Sequence, residues 1–219
     1  MKNIILIGAP ASGKGTISKI LTKAYSIPHI SVSQVLSAIT DSKVLKLVKQ
    51  YMDKGALVPD DIIIDVVKKR LKEDDCKNGY ILDGFPRTVV QAEMFNKIAN
   101  NTYLKPNFII NLSVKKEILL ERVLNRQMCK KCGTSYNLIN KKPKIANICD
   151  ICFEPLTKRA DDNEKTFLER LKIYNNNLKK MIKFYEKNSY LLINIDGSMP
   201  IDNVASSIKT IINNSCGGE

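Results

Sequence analysis

A glycine-rich stretch near the start of the chain, GAPASGKGT (residues 8–16), combines the residue types that bind phosphate. It follows an apolar run (residues 4–7) and opens a helical pattern, which is the usual context of a phosphate-binding loop. The glycines let successive backbone N–H groups turn toward an anion, and the helix N-terminus adds partial positive charge. We expect Lys14 to reach the β- and γ-phosphates of a nucleotide and the Thr16 hydroxyl to lie near a metal ion. The loop therefore predicts a nucleotide site whose ligands are Ala11, Ser12, Gly13, Lys14, Gly15 and Thr16.

A second set of chemically active residues is a group of four cysteines, Cys129-x2-Cys132-x16-Cys149-x2-Cys152. Two short Cys-x2-Cys turns can supply four thiolates to a tetrahedral Zn²⁺, and iron is the weaker alternative. Because four protein ligands close the coordination sphere, the predicted metal is structural rather than catalytic. The other two cysteines, Cys76 and Cys216, stand alone and are expected to be structurally neutral.

The composition is that of a globular protein. The chain has 219 residues, of which 44% are hydrophobic and 26% charged, which suits one medium α/β domain with small insertions. No apolar run approaches the roughly 20 residues that span a bilayer. The apolar run before the phosphate loop is too short for a secretory signal, so we expect a cytoplasmic protein.

The chain has a large excess of basic residues, which is compatible with more than one kind of binding partner. With 35 Lys+Arg against 22 Asp+Glu the net charge is +13, which fits nucleic acid, small polyanions such as nucleotides, or a solvated lysine-rich surface. Both signs mix within stretches such as KKRLKEDD (residues 68–75), which disfavours a nucleic-acid interface. A zinc ribbon in a basic chain still keeps a nucleic-acid-dependent ATPase as an alternative, beside a nucleotide-binding regulator without turnover.

Short β-rich runs alternate with helical patterns along the chain. The predicted strands cover residues 3–7, 29–31, 80–83, 108–113 and 191–196. This alternation predicts an α/β fold, a doubly wound parallel five-stranded sheet with helices on both faces, in which ligands bind at the carboxyl ends of the strands. Two segments interrupt it: residues 31–60, which look mostly helical, and residues 125–162, which hold the cysteines.

Two motifs carry a resemblance to a known family. The loop variant GKGT (residues 13–16) and the stretch YILDGFPRT (residues 80–88) resemble those of nucleoside monophosphate kinases, especially adenylate kinases, and the resemblance extends to about residue 197. It implies one P-loop kinase domain over residues 1–219, with a monophosphate-binding insertion at 31–60 (here the acceptor segment) and a zinc-binding lid at 125–162 (here the lid segment). The implied reaction transfers the terminal phosphoryl group of Mg²⁺-bound ATP reversibly to AMP and gives two ADP. The implied partners are ATP, AMP and ADP, with Mg²⁺ and structural Zn²⁺ and without nucleic acid or membrane, and the implied state is a monomer. A kinase with a different monophosphate acceptor remains an alternative.

The resemblance also assigns roles to individual residues. Asp83 would hold Mg²⁺ through water, and Lys14 would act with arginines that bind the phosphates: Arg87, Arg122, Arg126, Arg159 and Arg170. Beside the loop, the implied ATP contacts are Arg126, Ser135 and Tyr136. The implied AMP contacts are Leu57, Val58, Gly84, Phe85, Pro86, Arg87, Gln91, Arg159 and Arg170. We place Arg122 and Arg126 on one face of one helix, four residues apart. We further expect Asp161 and Asp162 to pair with the lid arginines, and His29 to be a strand-edge residue without a catalytic role.

The acceptor segment departs from the family pattern. Where the family has S-T-G-D-x-L-R, this chain has SVSQVLS (residues 31–37), so that Val32 and Ser37 replace the Thr and Arg that contact AMP. Ala11 likewise stands where a glycine is usual. We expect weakened AMP binding unless Lys43 or Lys46 supplies the missing charge.

Overall fold

The core of the protein is a five-stranded parallel sheet. The structure, a computed structural model, describes residues 1–53 and 56–216, except for the side chain of Cys216. The strand order is β2-β3-β1-β4-β8, with every neighbouring pair parallel. The strands are β1 (Lys2–Gly8), β2 (His29–Ser31), β3 (Gly79–Asp83), β4 (Phe108–Ser113) and β8 (Leu192–Asp196). The predicted doubly wound α/β fold is thereby confirmed, and the strand bounds differ from the prediction by at most one residue.

Helices connect the strands in the order of a P-loop fold. They are α1 (Lys14–Tyr25), α2 (Val32–Ser37), α3 (Ser42–Asp53), α4 (Asp60–Leu71), α5 (Val89–Ala99), α6 (Lys116–Leu124), α7 (Glu164–Lys187) and α8 (Ile201–Cys216). Side chains cap the starts of three described helices, and for α3 Asp41 Oδ1 accepts from the backbone N–H of Lys43 at 2.8 Å and of Val44 at 3.1 Å. Thr88 Oγ1 accepts from the backbone N–H of Gln91 at 3.1 Å, and Asn163 Oδ1 accepts from that of Thr166 at 2.9 Å. Each cap satisfies an N–H that a helix start would leave without a partner.

The alternation of side chains along the strands gives the sheet two apolar faces. On one face, Ile4 and Leu6 of β1 are buried with Ile208 of α8 and the apolar side of α1. On the other, Ile5 and Ile7 are buried with residues of α4, α5 and α7. Because both faces are covered, the central strands read as continuous apolar runs rather than as an alternating pattern.

The acceptor and lid segments extend from this core. Within the described part of the acceptor segment, α2 and α3 account for most residues, as the sequence predicts. The lid segment carries a separate three-stranded antiparallel sheet in the order β6-β5-β7, which the sequence analysis did not predict. Its strands are β5 (Arg126–Cys129), β6 (Ser135–Asn137) and β7 (Leu156–Thr157).

One sequence prediction about local structure is wrong. Helix α6 ends at Leu124, and Arg126 is the first residue of β5 and pairs with Asn137 of β6. Arg122 and Arg126 therefore do not share a helix face. The helical sequence pattern continues past Leu124, but the backbone of Arg126 pairs with β6 instead. The helix therefore ends before Arg126, and the chain enters the lid sheet. Across residues 1–53 and 56–216, no helix is both long and apolar enough to cross a bilayer.

Candidate active site and metal centre

The phosphate loop lies at the carboxyl end of β1 and leads directly into α1. Gly13, with φ +99°, occupies the residue before the helix, and a side chain there would be strained. Gly8 has no room for a side chain, since a Cβ there would lie 2.5 Å from Ser12 Oγ and 3.2 Å from the carbonyl oxygen of Leu112. Ala11, which stands at a position where glycine is usual, has φ +64°. The family preference for glycine at this position thus has a local cause, because the left-handed conformation is strained for residues with a Cβ.

Lys14 is held inside the loop by backbone oxygens. Its ammonium donates to the carbonyl oxygens of Gly8 at 2.7 Å and Ala9 at 3.0 Å. Burial lowers the pKa of Lys14 to about 8, against the attraction of Asp83, and the nearby charges of Arg87, Arg170 and Arg126 lower it further. An ammonium in this position gains from an added anion, because polyphosphate charge would offset the surrounding positive charge.

Asp83 ends β3 beside the loop, as predicted, and has a partner that the sequence did not reveal. Its Oδ2 lies 3.3 Å from His29 Nε2, and the two side chains are 15% and 17% exposed. Burial acts to raise the pKa of Asp83, but the His29 hydrogen bond and the Lys14 charge outweigh it, and the pKa is lowered. Asp83 Oδ2 lies 3.7 Å from the position that a Cβ on Gly15 of the loop would occupy. A carboxylate that stays ionised this close to the loop is the hard oxygen ligand that Mg²⁺ takes directly or through water. The donor set therefore fits the implied Mg²⁺.

Positive side chains from four different segments surround Lys14 and Asp83. Arg87 follows β3, Arg126 begins β5, Arg159 lies near the end of the lid segment and Arg170 lies on α7. Burial lowers the pKa of Arg87, and the charges of Arg170 and Arg159 add to this effect. Lys14 and the four arginines thus share this region with three carboxylates, those of Asp83, Asp161 and Asp162. Such a site favours a ligand with several negative charges.

Arg122 is placed differently from the other predicted arginines. Burial lowers its pKa, and the charges that act on it most are those of Glu121 and Asp196 at the end of β8. The carbonyl oxygen of Arg122 accepts a 3.4 Å hydrogen bond from the side chain of Asn137, which ties α6 to the lid sheet. Its role in phosphate binding stays a prediction.

Two adjacent carboxylates at the end of the lid segment pair with the arginines, as expected. Asp162, whose side chain is 1% exposed, accepts hydrogen bonds from Arg126, including one from Nε at 2.8 Å. Asp161 accepts from Arg159 at 3.0 Å and 3.1 Å and also from Arg170. Burial acts to raise the pKa of Asp161, but Arg159 and Arg170 lower it more strongly. These pairs orient guanidinium groups from the lid and the core toward one region.

The predicted AMP contacts group around the loop that follows β3. Arg87 donates from Nε to the carbonyl oxygen of Gly84 at 2.9 Å, and its backbone N–H donates to Gln91 Oε1 at 2.7 Å. The Gln91 amide donates to Asp60 Oδ1 at 2.7 Å and thereby connects this loop to the start of α4. The apolar members of the set are buried or partly buried: Leu57, Val58, Phe85 and Pro86.

The altered residues of the acceptor segment offer little charge. Val32 is 2% exposed and packs in the apolar core of α2. The Ser37 hydroxyl donates to the carbonyl oxygen of Ser33 at 2.9 Å, one turn back in the same helix. Lys43 and Lys46 of α3 are both exposed.

The four lid cysteines form a cluster that fits a tetrahedral metal ion. Their sulfur atoms all lie within 4.8 Å of one another, with 3.3 Å between Cys129 and Cys152 and 3.5 Å between Cys132 and Cys149. Tetrahedral Zn²⁺ with Zn–S bonds of about 2.3 Å needs sulfur atoms about 3.8 Å apart. The cluster is thus compatible with a structural zinc site.

The two Cys-x2-Cys turns have matching backbone geometry. In the first, the N–H of Gly133 donates to the carbonyl oxygen of Cys129 at 3.0 Å, and in the second Phe153 donates to Cys149 at 3.0 Å. Gly133 and Phe153 also share a positive φ, +65° and +58°. Two equivalent turns that present two thiols each are the expected construction of a four-thiolate site.

Tyr136 faces this cluster. It is 3% exposed, its phenol oxygen lies 3.6 Å from Cys149 Sγ, and the same oxygen accepts from the backbone N–H of Asp150 at 2.8 Å. The Tyr136 hydroxyl is therefore already bonded within the second Cys-x2-Cys turn. A nucleotide contact at this residue would use its ring or its backbone. Ser135, the preceding residue, is partly exposed.

A P-loop sheet whose strand ends gather a lysine, an aspartate and converging arginines defines a nucleotide-dependent phosphotransferase. Comparison with known proteins gives the family. Residues 6–190 match the family model described as adenylate kinase. The chain is 42% identical to the adenylate kinase of Clostridium tetani over 212 residues, which cover 96% of this chain and 98% of that protein. It is 41% identical to the adenylate kinase of Bacillus subtilis over 213 residues, covering 96% and 97% of the two chains. The chain belongs to the adenylate kinase family.

Proposed function

We propose that the protein transfers the terminal phosphoryl group of Mg²⁺-bound ATP reversibly to AMP and forms two ADP. The observation that carries this proposal is that the charges of Arg87, Arg126 and Arg170 act on Lys14, while Arg159 acts on Arg87 in the same region. Hydrolysis of one nucleotide needs fewer cations than a reaction that brings the phosphates of two nucleotides together. The proposal is consistent with the relatives from Clostridium tetani and Bacillus subtilis, both of which are adenylate kinases.

The division of labour in this proposal follows from the position of each group. The loop residues 11–16 bind the ATP phosphates, and Lys14 holds the β- and γ-phosphates as a point charge. Asp83 and Thr16 would hold Mg²⁺, which neutralises phosphate charge when it is bound. Arg87 and Arg170 hold the acceptor phosphate, and Arg126 and Arg159 cover the transferred group from the lid. Catalysis is then mostly positioning and charge neutralisation.

The acceptor end is the part of this proposal that needs the sharpest test. Arg87 is fixed by its bonds to Gly84 and Gln91, so one guanidinium is in place before AMP binds. The Gln91 and Val58 region would receive the base. We propose AMP as the acceptor with a weak affinity, because Ser37 lacks the charge of an arginine and Val32 lacks the hydroxyl of a threonine.

The lid segment completes the site by closing over it. Arg126 and Arg159 belong to the lid segment while Lys14 belongs to the core, so closure brings them together and excludes water from the phosphates. Zinc would hold the lid segment in shape, since the buried apolar cluster there is small. We further propose that the protein works as a cytoplasmic monomer without nucleic-acid or membrane partners.

The test is a panel of nucleoside monophosphates with ATP and Mg²⁺, with the products separated by chromatography. We expect conversion of AMP to ADP, matched by loss of ATP, and little product from GMP, CMP or UMP. Preference for another monophosphate would replace AMP as the acceptor, and ATP hydrolysis without any phosphorylated acceptor would reject the kinase assignment. Lys14→Met is the control, expected to fold normally and to lack turnover.

A further inference from the structure

One turn of the lid segment contacts two other parts of the molecule. Gly133 follows Cys132 in the first Cys-x2-Cys turn, and its carbonyl oxygen accepts a 3.1 Å hydrogen bond from Lys19 Nζ of α1. The side-chain amide nitrogen of Gln34, on α2 of the acceptor segment, lies 4.0 Å from the position that a Cβ on Gly133 would occupy. The phosphate-loop helix, the acceptor segment and the metal turn therefore meet at Gly133.

The direction of the Gly133 carbonyl is fixed by the metal turn. The left-handed φ of +65° and the N–H bond to Cys129 fix Gly133 within the turn that carries the Cys129 and Cys132 thiols. A metal ion held by Cys129 and Cys132 would therefore also hold the carbonyl that Lys19 contacts. The turn at residues 129–133 thus both offers two thiols to the metal and presents a carbonyl oxygen, as hydrogen-bond acceptor, to Lys19 of the core.

Lys19 is a hydrogen-bond donor that joins α1 of the core to the lid segment. Lys19 is exposed on α1, five residues after the loop lysine, and its side chain reaches the lid segment. Lys141 of the lid segment is close enough for the charge of Lys19 to lower its pKa, after the larger effect of burial. The positive charges of Lys19 and Lys141 repel each other. The hydrogen bond from Lys19 to Gly133, rather than attraction between these charges, therefore favours this position of the Lys19 side chain.

We propose that the turn at residues 129–133 is the latch of the closed lid, with Lys19 and Gln34 as its contacts on the core and on the acceptor segment. The latch favours closure without touching a nucleotide, and it connects the metal site to the lid position. It rests on the proposed function only in that the lid segment is taken to open and close.

The experiment measures lid position directly, in protein whose metal content has been confirmed. Fluorophores are attached through unnatural amino acids at Lys142 of the lid segment and Thr210 of α8, both exposed, and single-molecule energy transfer gives the closed fraction without nucleotide. Lys19→Met keeps the length and helix propensity of the side chain but removes the donor. Lys23→Met, one turn further along the same exposed side of α1, removes a positive charge without touching the lid segment.

The closed-to-open ratio in Lys19→Met should fall about two- to tenfold, the usual value of one such hydrogen bond, while Lys23→Met should match the unchanged protein. Gln34→Ala should lower the ratio in the same direction. Equal ratios in the two methionine variants would overturn the latch. A bisubstrate analogue with two adenosines joined through five phosphates separates the two proposals. If it closes the lid in all variants, the lid function holds whatever Lys19 does, and if it moves nothing, the lid function itself fails.

Discussion

The lowered pKa of Lys14 should make the affinity for ATP fall as the pH rises above neutral. The ammonium has a pKa of about 8 in the nucleotide-free site, against an ordinary value of 10.5. Burial is the largest cause of this lowered pKa, and the arginine charges add to it. The negative phosphates of ATP should return the pKa toward its ordinary value, since they stabilise the buried ammonium and offset the arginine charges. ATP binding therefore takes up a proton whenever the free protein has lost it.

The size of the effect follows from the two pKa values. At pH 7 about nine-tenths of free Lys14 is protonated, and at pH 9 about one-tenth, whereas in the complex it stays almost fully protonated at both. ATP affinity should then fall about tenfold between pH 7 and pH 9, which corresponds to about 1.4 kcal/mol. The proton uptake on binding should rise from about 0.1 to about 0.9 over the same range.

Calorimetry in two buffers of different ionisation enthalpy measures both quantities. Lys14→Met, which cannot titrate, serves as the control, and it also removes the contribution of the ionisation of ATP itself. Lys14→Arg keeps the charge without the titration, so its affinity should change no more than that of the methionine variant over this range. The reasoning is refuted if the unchanged protein and Lys14→Met show the same pH dependence and the same proton uptake.

The same lowered pKa predicts how stability changes with pH. Between pH 8 and pH 10.5 the unfolded chain holds a proton on Lys14 that the nucleotide-free folded protein has lost. Stability should therefore rise with pH in this window relative to Lys14→Met, because the unfolded state binds more protons. Chemical denaturation of both proteins at pH 8 and pH 10 measures the difference. Parallel changes in the two would contradict the assigned pKa.

Three substitutions test the remaining parts of the site. Cys149→Ser should reduce bound zinc well below one per chain and unfold the lid segment before the core, whereas Cys76→Ser should leave the metal content unchanged. Elemental analysis measures the zinc, and hydrogen exchange measures the unfolding of the lid segment. Full zinc content in Cys149→Ser would contradict the ligand set. Asp162→Asn removes the buried charge that pairs with the largely buried guanidinium of Arg126 and should destabilise the lid segment by about 3 kcal/mol in hydrogen exchange. Glu154→Gln removes a charge from an exposed ion pair and should have a far smaller effect. Ser37→Arg should lower the KM for AMP about tenfold through one charge-assisted hydrogen bond and leave the KM for ATP unchanged; an unaltered KM for AMP would mean that the acceptor phosphate is already held by other groups.

Local sequence patterns were sufficient for the sheet and the phosphate loop. Strand β1 is buried on both faces and is therefore an unbroken apolar run, and the loop glycines are required by the conformation of a few successive residues. The cysteine spacing likewise identifies a metal site, because two short turns with two thiols each are local structures. The lid sheet was missed because β5, β6 and β7 have only 4, 3 and 2 residues, too few to show a strand pattern.

The pairing of distant side chains was decided by the tertiary structure alone. His29 lies 54 positions before Asp83 and reaches it because β2 and β3 are neighbours in the sheet, an order that no single strand encodes. Arg126 finds Asp162 across 36 positions because the chain leaves α6 for a strand whose partners lie in the lid. Lys19 meets Gly133 only where the lid segment lies over α1. By itself, the sequence determined which residues could bind phosphate and metal, since those motifs are local. Which charges face one another depends on how the sheet and the lid pack, and so only the folded chain decided it.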